Sequence, residues 1–241
     1  MSEKSRSILV ATSNPGKIAE IRAMLGDDLR WLGLAELGAM AEIPEDGATF
    51  AENARKKALG YAKAAGLWTI SDDSGLVVDA LGGAPGVKSA RFCGEAVPAL
   101  RPAGIPSTSS GQALPAVRKQ GQDALATGTD RTLIDRRNMA KVLELLKGVP
   151  KEKRTARFVC CLCLASPEKV LLETEGKLEG LITDRQIGEN GFGYDPIFFV
   201  PHLKKTVAQL TREEKNAISH RGNAIRKLRP LLDELPQTGR S

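Results

Sequence analysis

The stretch Ser7-Ile-Leu-Val-Ala-Thr-Ser-Asn-Pro-Gly-Lys17 decides how this chain begins to fold. Ser7–Ala11 has the length and apolar run of a short buried strand, and it ends abruptly on Thr12-Ser13-Asn14-Pro15-Gly16-Lys17. Ser13 or Asn14 can cap a helix, and Pro15 suits a first helical position, where its missing N–H is not needed. Ile18, Ile21 and Leu25 then recur at helical spacing. A strand turning straight into a helix is a building unit of α/β and α+β layers.

The same reading extends outward. A second helix opens at Thr49-Phe-Ala-Glu52, a capping-box pattern, and carries an apolar stripe of Phe50, Ala54, Ala58, Tyr61 and Ala65. Leu67–Ser71 reads as a strand running into Asp72-Asp73-Ser74-Gly75, followed by the apolar run Leu76–Leu81. Further on come a helix near Thr132–Leu146 and a hairpin of Ala156–Ala165 and Val170–Glu175, turned at Ser166-Pro167-Glu168. A Gly-rich loop, Gly188–Pro196, precedes a strand at Ile197–Val200, and the last helix starts on a second capping box, Thr211-Arg-Glu-Glu214. Between Gly94 and Thr129 the periodicity lapses, and Pro98, Pro102, Pro106 and Pro115 flank a Ser/Thr run. The expectation is a mixed α/β (α+β) fold in one domain, 1–241, interrupted by a flexible insertion at about 94–129.

With 241 residues, 41% of them hydrophobic and 27% charged, the chain can bury a sizeable core. No apolar run approaches a membrane span, and four Cys do not make a disulfide scaffold, so a cytoplasmic protein with no membrane partner is expected. The net charge is +6, and five of those charges fall in residues 201–241. Such an excess suits nucleic acid, an anionic surface or a small anionic substrate.

Several segments carry chemistry. The Thr12–Lys17 turn offers a helix N-terminus, a glycine and a lysine to an anion, although it reads equally as an ordinary capped helix. Glu45-Asp46 and Asp72-Asp73 supply carboxylates of the kind that hold Mg²⁺ together with substrate phosphates. Asp-Asp-Ser-Gly is also a good turn; if the strand runs through it, the two Asp face opposite ways and only one reaches a site. Phe192-Gly193-Tyr194-Asp195 sets two rings beside glycines, suited to stacking on a planar base or to filling a core. In the last helix Lys215, Ser219 and Gly222 share a face, with Arg221 off it. Two His, His202 and His220, cannot form a multi-His metal site, and Cys160, Cys161 and Cys163 read as core strand residues.

Taken in order, these segments resemble the inosine triphosphate pyrophosphatase family. The resemblance rests on Ala11–Lys17, Glu45–Ala54, Ser71–Gly86, Ser89-Ala-Arg91, Gly191–Phe199 and Thr211–Gly222. It implies an elongated mixed β-sheet flanked by helices, in two lobes about a central cleft. It also implies Mg²⁺-dependent hydrolysis of ITP, dITP or XTP to the monophosphate and pyrophosphate, by a homodimer with no nucleic-acid partner. Carried onto this chain, Thr12, Ser13, Asn14, Pro15, Gly16 and Lys17 hold phosphates, and Ser74 contacts substrate. Asp73 is the general base, with Glu45 and Asp73 binding Mg²⁺. Phe192, Gly193, Tyr194, Asp195, Lys215, His220 and Arg221 hold the nucleotide, the last two beside the base. Two departures stand out: Pro44-Glu45-Asp46-Gly47 replaces the paired Glu often found before Thr-Gly, and the 94–129 stretch has no counterpart.

Overall fold

A computed structural model describes residues 7–26, 29–38, 40–95 and 128–235. Most of the stretch read as an insertion, residues 96–127, lies outside the described residues. Seven strands form one mixed sheet in the order β2-β1-β3-β4-β5-β6-β7. They are β1 (Ser7–Val10), β2 (Arg30–Gly33), β3 (Trp68–Val78), β4 (Thr155–Ala165), β5 (Val170–Ile182), β6 (Phe198–Val200) and β7 (Lys205–Thr206). β2, β1 and β3 run parallel, and from β3 to β7 every pairing is antiparallel. The mixed sheet and the two helical layers agree with the expected fold class. The long hairpin is β4–β5, which extends seven residues beyond the Glu175 expected from sequence.

The helices are α1 (Pro15–Leu25), α2 (Phe50–Ala65), α3 (Gly128–Leu145), α4 (Arg212–Ile218) and α5 (His220–Asp233). α1 and α5 pack on one sheet face, where Ile8, Val10, Ile21, Leu25, Ile70, Leu162, Ile225 and Leu228 form a core. α2 covers the other face, its Ala54, Ala58 and Ala62 against Val159, Cys161 and Cys163. Small residues on both sides let this helix lie close to the strands. A further core at the far end joins Leu76, Val78, Phe92, Val142, Phe158 and Phe198.

β3 explains the spacing of these cores. Its 11 residues run unbroken through Asp72-Asp73-Ser74-Gly75 and reach roughly 35 Å at ~3.3 Å per residue. Ile70 joins the α1–α5 core, while Leu76 and Val78, on the same face, join the far one. Asp72 and Ser74 stand between them. The turn that the Asp-Asp-Ser-Gly composition allowed does not form, because β4 pairs with every residue from Thr69 to Val78.

The last helix also departs from its expected course. It breaks at Ser219, which takes an extended conformation (φ −62°, ψ 154°) and caps α5 by accepting from the Gly222 N–H. Lys215, Ser219 and Gly222 therefore do not share one helical face. Gly222 is needed at the break itself, since a Cβ there would lie 2.1 Å from the Asn216 carbonyl oxygen. Arg226, Lys227 and Arg229 do more than face solvent. Arg226 donates to the Asn216 and Ala217 carbonyls at the end of α4, Lys227 to the Glu175 carbonyl and Arg229 to the Leu25 carbonyl.

Candidate active site

The opening turn behaves as its residues suggest. Asn14 caps α1, its Oδ1 accepting from the Gly16 and Lys17 N–H groups at 2.9 and 3.4 Å, with Pro15 in the first turn. Thr12 Oγ1 accepts from Asn14 N, and Ser13 and Pro15 are exposed. Gly16 is where Phe192 approaches, since a Cβ there would fall 2.8 Å from the aromatic ring. The phosphate-type turn and the 191–196 loop are thus brought together, although more than 170 residues separate them in sequence.

On the α1–α5 face the charged groups form an alternating buried chain. Lys17 pairs with Asp72 at 2.5 Å, Asp72 with Arg221 at 2.7 Å, and Arg221 with Glu20. Glu20 continues to Lys215 at 3.0 Å, and Lys215 to Asp195 at 2.7 Å. Ser74 Oγ donates to Asp72 Oδ1 and accepts from Arg221. Burial alone would raise the Asp72 carboxyl, but Arg221 and Lys17 hold it well below the usual carboxylate range. Burial likewise disfavours the Lys215 ammonium, yet Asp195 and Glu20 keep its pKa raised. Three cations meet three carboxylates, so the basic C-terminal region presents no net positive charge here.

Aromatic rings close this chain off. The Phe192 ring lies 4.3 Å from Lys215 Nζ, a cation–π contact. His220 stacks on Phe158 at 4.9 Å between centroids. Its Nδ1 is buried without a partner, and burial, then Arg221, lowers the imidazole pKa well below its ordinary value. Two residues expected at the nucleotide also have partners within the protein. Tyr194 is a core residue whose OH donates to the Ser89 carbonyl, and Asp195 Oδ2 already accepts from Phe192 N and Lys215. Gly193 N donates to Asp135, on α3. His202 is exposed.

The opposite face holds a different cluster. Asp73 sits beneath α2, where burial pushes its carboxyl up to about 6 against the pull of Lys57 and Lys17, with Glu45 adding to the rise. Lys57 Nζ donates to Glu45 at 2.8 Å and to the Asp72 carbonyl at 2.9 Å. Burial works against that ammonium, but Glu45 and then Asp73 keep it charged. Asp46 points away and pairs with Lys56 in solvent, and Asp72 is on the far face, so Glu45 is the acidic partner of Asp73. Asp73 Oδ2 is buried with no hydrogen bond. An orphaned carboxylate oxygen beside a second carboxylate fits Mg²⁺, which takes one or two protein carboxylates and completes its shell with phosphate and water. Among the described residues no group of three or more His, Cys, Asp or Glu forms a self-sufficient metal cage.

Sequence reading missed Lys57, Asn53, Glu20 and the structural role of Asp72. Asn53 and Lys57 had a visible signal: they flank the α2 stripe at Ala54 and Ala58, on the face that must be buried. Glu20, next to Ile21 on α1, had the same signal.

The chain has clear relatives among known proteins. The sequence profile of the Ham1 family matches residues 8–102 and 124–231. A dITP/XTP pyrophosphatase of Bacillus subtilis is 42% identical over 231 residues, covering 95% of this chain and 98% of that protein. One from Desulforamulus reducens is 41% identical over 229 residues, covering 95% and 96%. The solved structure of a HAM1 protein from Coxiella burnetii superposes with a TM-score of 0.73 at 35% identity, covering 95% of this chain and all of that one. The Staphylococcus aureus Ham1 protein gives 0.72 at 36% identity, covering 95% and 98%. With its profile match on both sides of residues 103–123 and relatives above 40% identity along nearly its whole length, the chain belongs to the Ham1 family.

Proposed function

We propose that this protein is a nucleoside-triphosphate pyrophosphohydrolase that converts non-canonical purine triphosphates, dITP, XTP and ITP, to the monophosphate and pyrophosphate. One observation carries the reading: a buried carboxylate, Asp73, with an unpartnered oxygen and a pKa near 6, beside Lys57 and Glu45. The names of the relatives above supply the substrate class.

Asp73 is the general base that takes a proton from the attacking water; its raised pKa lies close to working pH, where such a base is most effective. Glu45 and Asp73 would hold Mg²⁺, which supplies neutralisation of the polyphosphate and a lowered pKa for bound water. Lys57 keeps both carboxylates in register and adds positive charge on the same side. Lys17 sits at the rim with its side chain 14% exposed and turns from Asp72 to the phosphates. Phe192 offers its ring to the purine, and Lys215, His220 and Arg221 lie at the base end. The Arg221 guanidinium donates to Asp72, Glu20 and Ser74 and lies 5.9 Å from the Phe192 ring, so a 6-oxo group would compete with these acceptors for it. Ser74, half-buried, is the partner open to exchange. Adenine, with an amino group at that position, would leave the buried donors mispaired, a discrimination of orders of magnitude. The working unit is a homodimer acting on the cytoplasmic nucleotide pool.

A nucleotide panel at fixed Mg²⁺, with product identification, tests this. Expected is pyrophosphate release from dITP, XTP and ITP with little from ATP. Orthophosphate as product, or equal turnover of ATP, overturns it. Selective turnover of a modified pyrimidine would instead indicate a related pyrophosphatase with another base preference.

A further inference from the structure

Phe192 stands between two glycines in the left-handed region, Gly191 at φ +80° and Gly193 at φ +63°. Glycine reaches such values without steric cost, so the backbone alone leaves the direction of the ring weakly fixed. Inside the loop, Phe192 N donates to Asp195 Oδ2 and the Phe192 carbonyl accepts from Asp195 N. Among the described residues a single hydrogen bond ties 191–193 to another element: Gly193 N donates to Asp135 Oδ2 on α3, at 2.9 Å. That bond holds the peptide group immediately after Phe192, whose ring meets Gly16 and Lys215.

Asp135 stands on a firm support. Asn138, three residues on and on the same helical face, is buried and joins α3 to the 3₁₀ segment Gly86–Gly94. Its Nδ2 donates to the Ser89 and Ala90 carbonyls at 3.2 and 3.3 Å, and its Oδ1 accepts from Cys93 N at 2.7 Å. Met139, Val142 and Leu146 sink the same helix into the far core. Asp135 itself is half-buried; burial raises its carboxyl, and the Gly193 N–H is first among the groups that pull it back. A hydrogen bond to an ionised acceptor is stronger than one between neutral groups.

We propose that Asp135 is a positioning residue for purine binding, which holds Gly193 N and thereby keeps the Phe192 ring turned to receive the base. The role rests on the pyrophosphohydrolase reading above, in which Phe192 takes the purine. Asp135 neither touches substrate nor moves a proton. It supports a contact made equally in the ground and transition states, so its loss raises KM and leaves kcat in place.

The test separates the acceptor oxygen from the charge. Asp135→Asn keeps an oxygen for Gly193 N, and Asp135→Ala removes it. With the triphosphate that the wild type turns over fastest, Asp135→Ala should raise KM about fivefold or more, but by no more than Phe192→Ala, with kcat within about threefold. Asp135→Asn should stay within about threefold of wild type in both. Adding Asp135→Ala to Phe192→Ala should raise KM no more than about twofold further, because no ring is left to aim. An unchanged KM in Asp135→Ala, a loss carried by kcat, an Asp135→Asn as impaired as Asp135→Ala, or effects that multiply in the double variant would each overturn the role. Unfolding of Asp135→Ala at the assay temperature would make the residue structural and overturn it too. An inactive wild type overturns the proposed function and this role together. An active wild type with an unaffected Asp135→Ala overturns this role alone.

Discussion

Asp72 and Asp73 are consecutive residues of β3 whose carboxylates leave opposite faces of the sheet and carry opposite pKa shifts. Asp72 is pinned by Arg221 and Lys17 and held ionised. Asp73 is buried under α2 with one oxygen unpaired and is pushed up to about 6. One strand thus supplies a structural anion to the base-side network and a reactive one to the phosphate side.

Asp73→Asn should abolish turnover and at the same time stabilise the protein. A carboxyl with a higher pKa in the folded than in the unfolded chain binds its proton more tightly when folded. Its ionised form at pH 7 therefore works against folding, by up to ~3 kcal/mol. Thermal melts without added metal at pH 7.5 should show a higher Tm for the variant. A lower Tm would contradict the assigned burial.

Arg221→Met should be strongly destabilising. It leaves Asp72 and Glu20 buried and short of a cation, which costs about 3–5 kcal/mol. Urea unfolding measures this, and Asp72→Asn added to Arg221→Met should recover part of the loss. No recovery would mean that the Asp72 charge is not what the guanidinium offsets.

His220 supplies the pH dependence. Burial, with Arg221 beside it, holds its folded pKa well below the ordinary imidazole value of 6.5. Below pH 6.5 the unfolded chain therefore takes up a proton that the folded chain refuses, and stability falls with acidification. The slope from this one group is at most ~1.4 kcal/mol per pH unit. Asp73, pushed up to about 6, takes up its proton in the folded state over the same range and works the other way, so His220→Gln should shift the slope between pH 6.5 and 5 toward stabilisation on acidification. An unchanged slope would show that His220 titrates normally.

Gly222→Ala should disturb the junction of α4 and α5, because the added methyl meets the Asn216 carbonyl, a backbone atom that cannot swing aside. Overpacking of this kind costs about 1–3 kcal/mol. Lys215 and Arg221, on either side of the break, should lose their common partner Glu20, raising KM for the triphosphate. A KM equal to wild type would separate the junction from nucleotide binding.

Local chemistry was the legible part of this protein. Asn14 and Thr211 cap the helices their spacing predicts, the β4–β5 hairpin turns at Ser166, and the α2 stripe packs against the sheet. Each depends on residues within a few positions of one another. β2 and β7 were not legible: a four-residue and a two-residue strand carry too little pattern to stand out. The break at Ser219 was hidden because the residues on both sides of it read as helical, so the Ser219 cap on the Gly222 N–H did not stand out in the sequence.

The sequence by itself determined the strand–turn–helix opening, the order of the motifs and the residue types from which a nucleotide site is made. The tertiary structure decided which of them face one another. Continuous pairing of β3 with β4 sent Asp72 and Asp73 to opposite faces, and the resulting burial made one a fixed anion and the other a base. It also matched Lys17, Arg221 and Lys215 with Asp72, Glu20 and Asp195, which composition counts only as charges. Charge and pKa depend on distance and on exclusion of water, and both are set by segments far apart in sequence meeting in the fold.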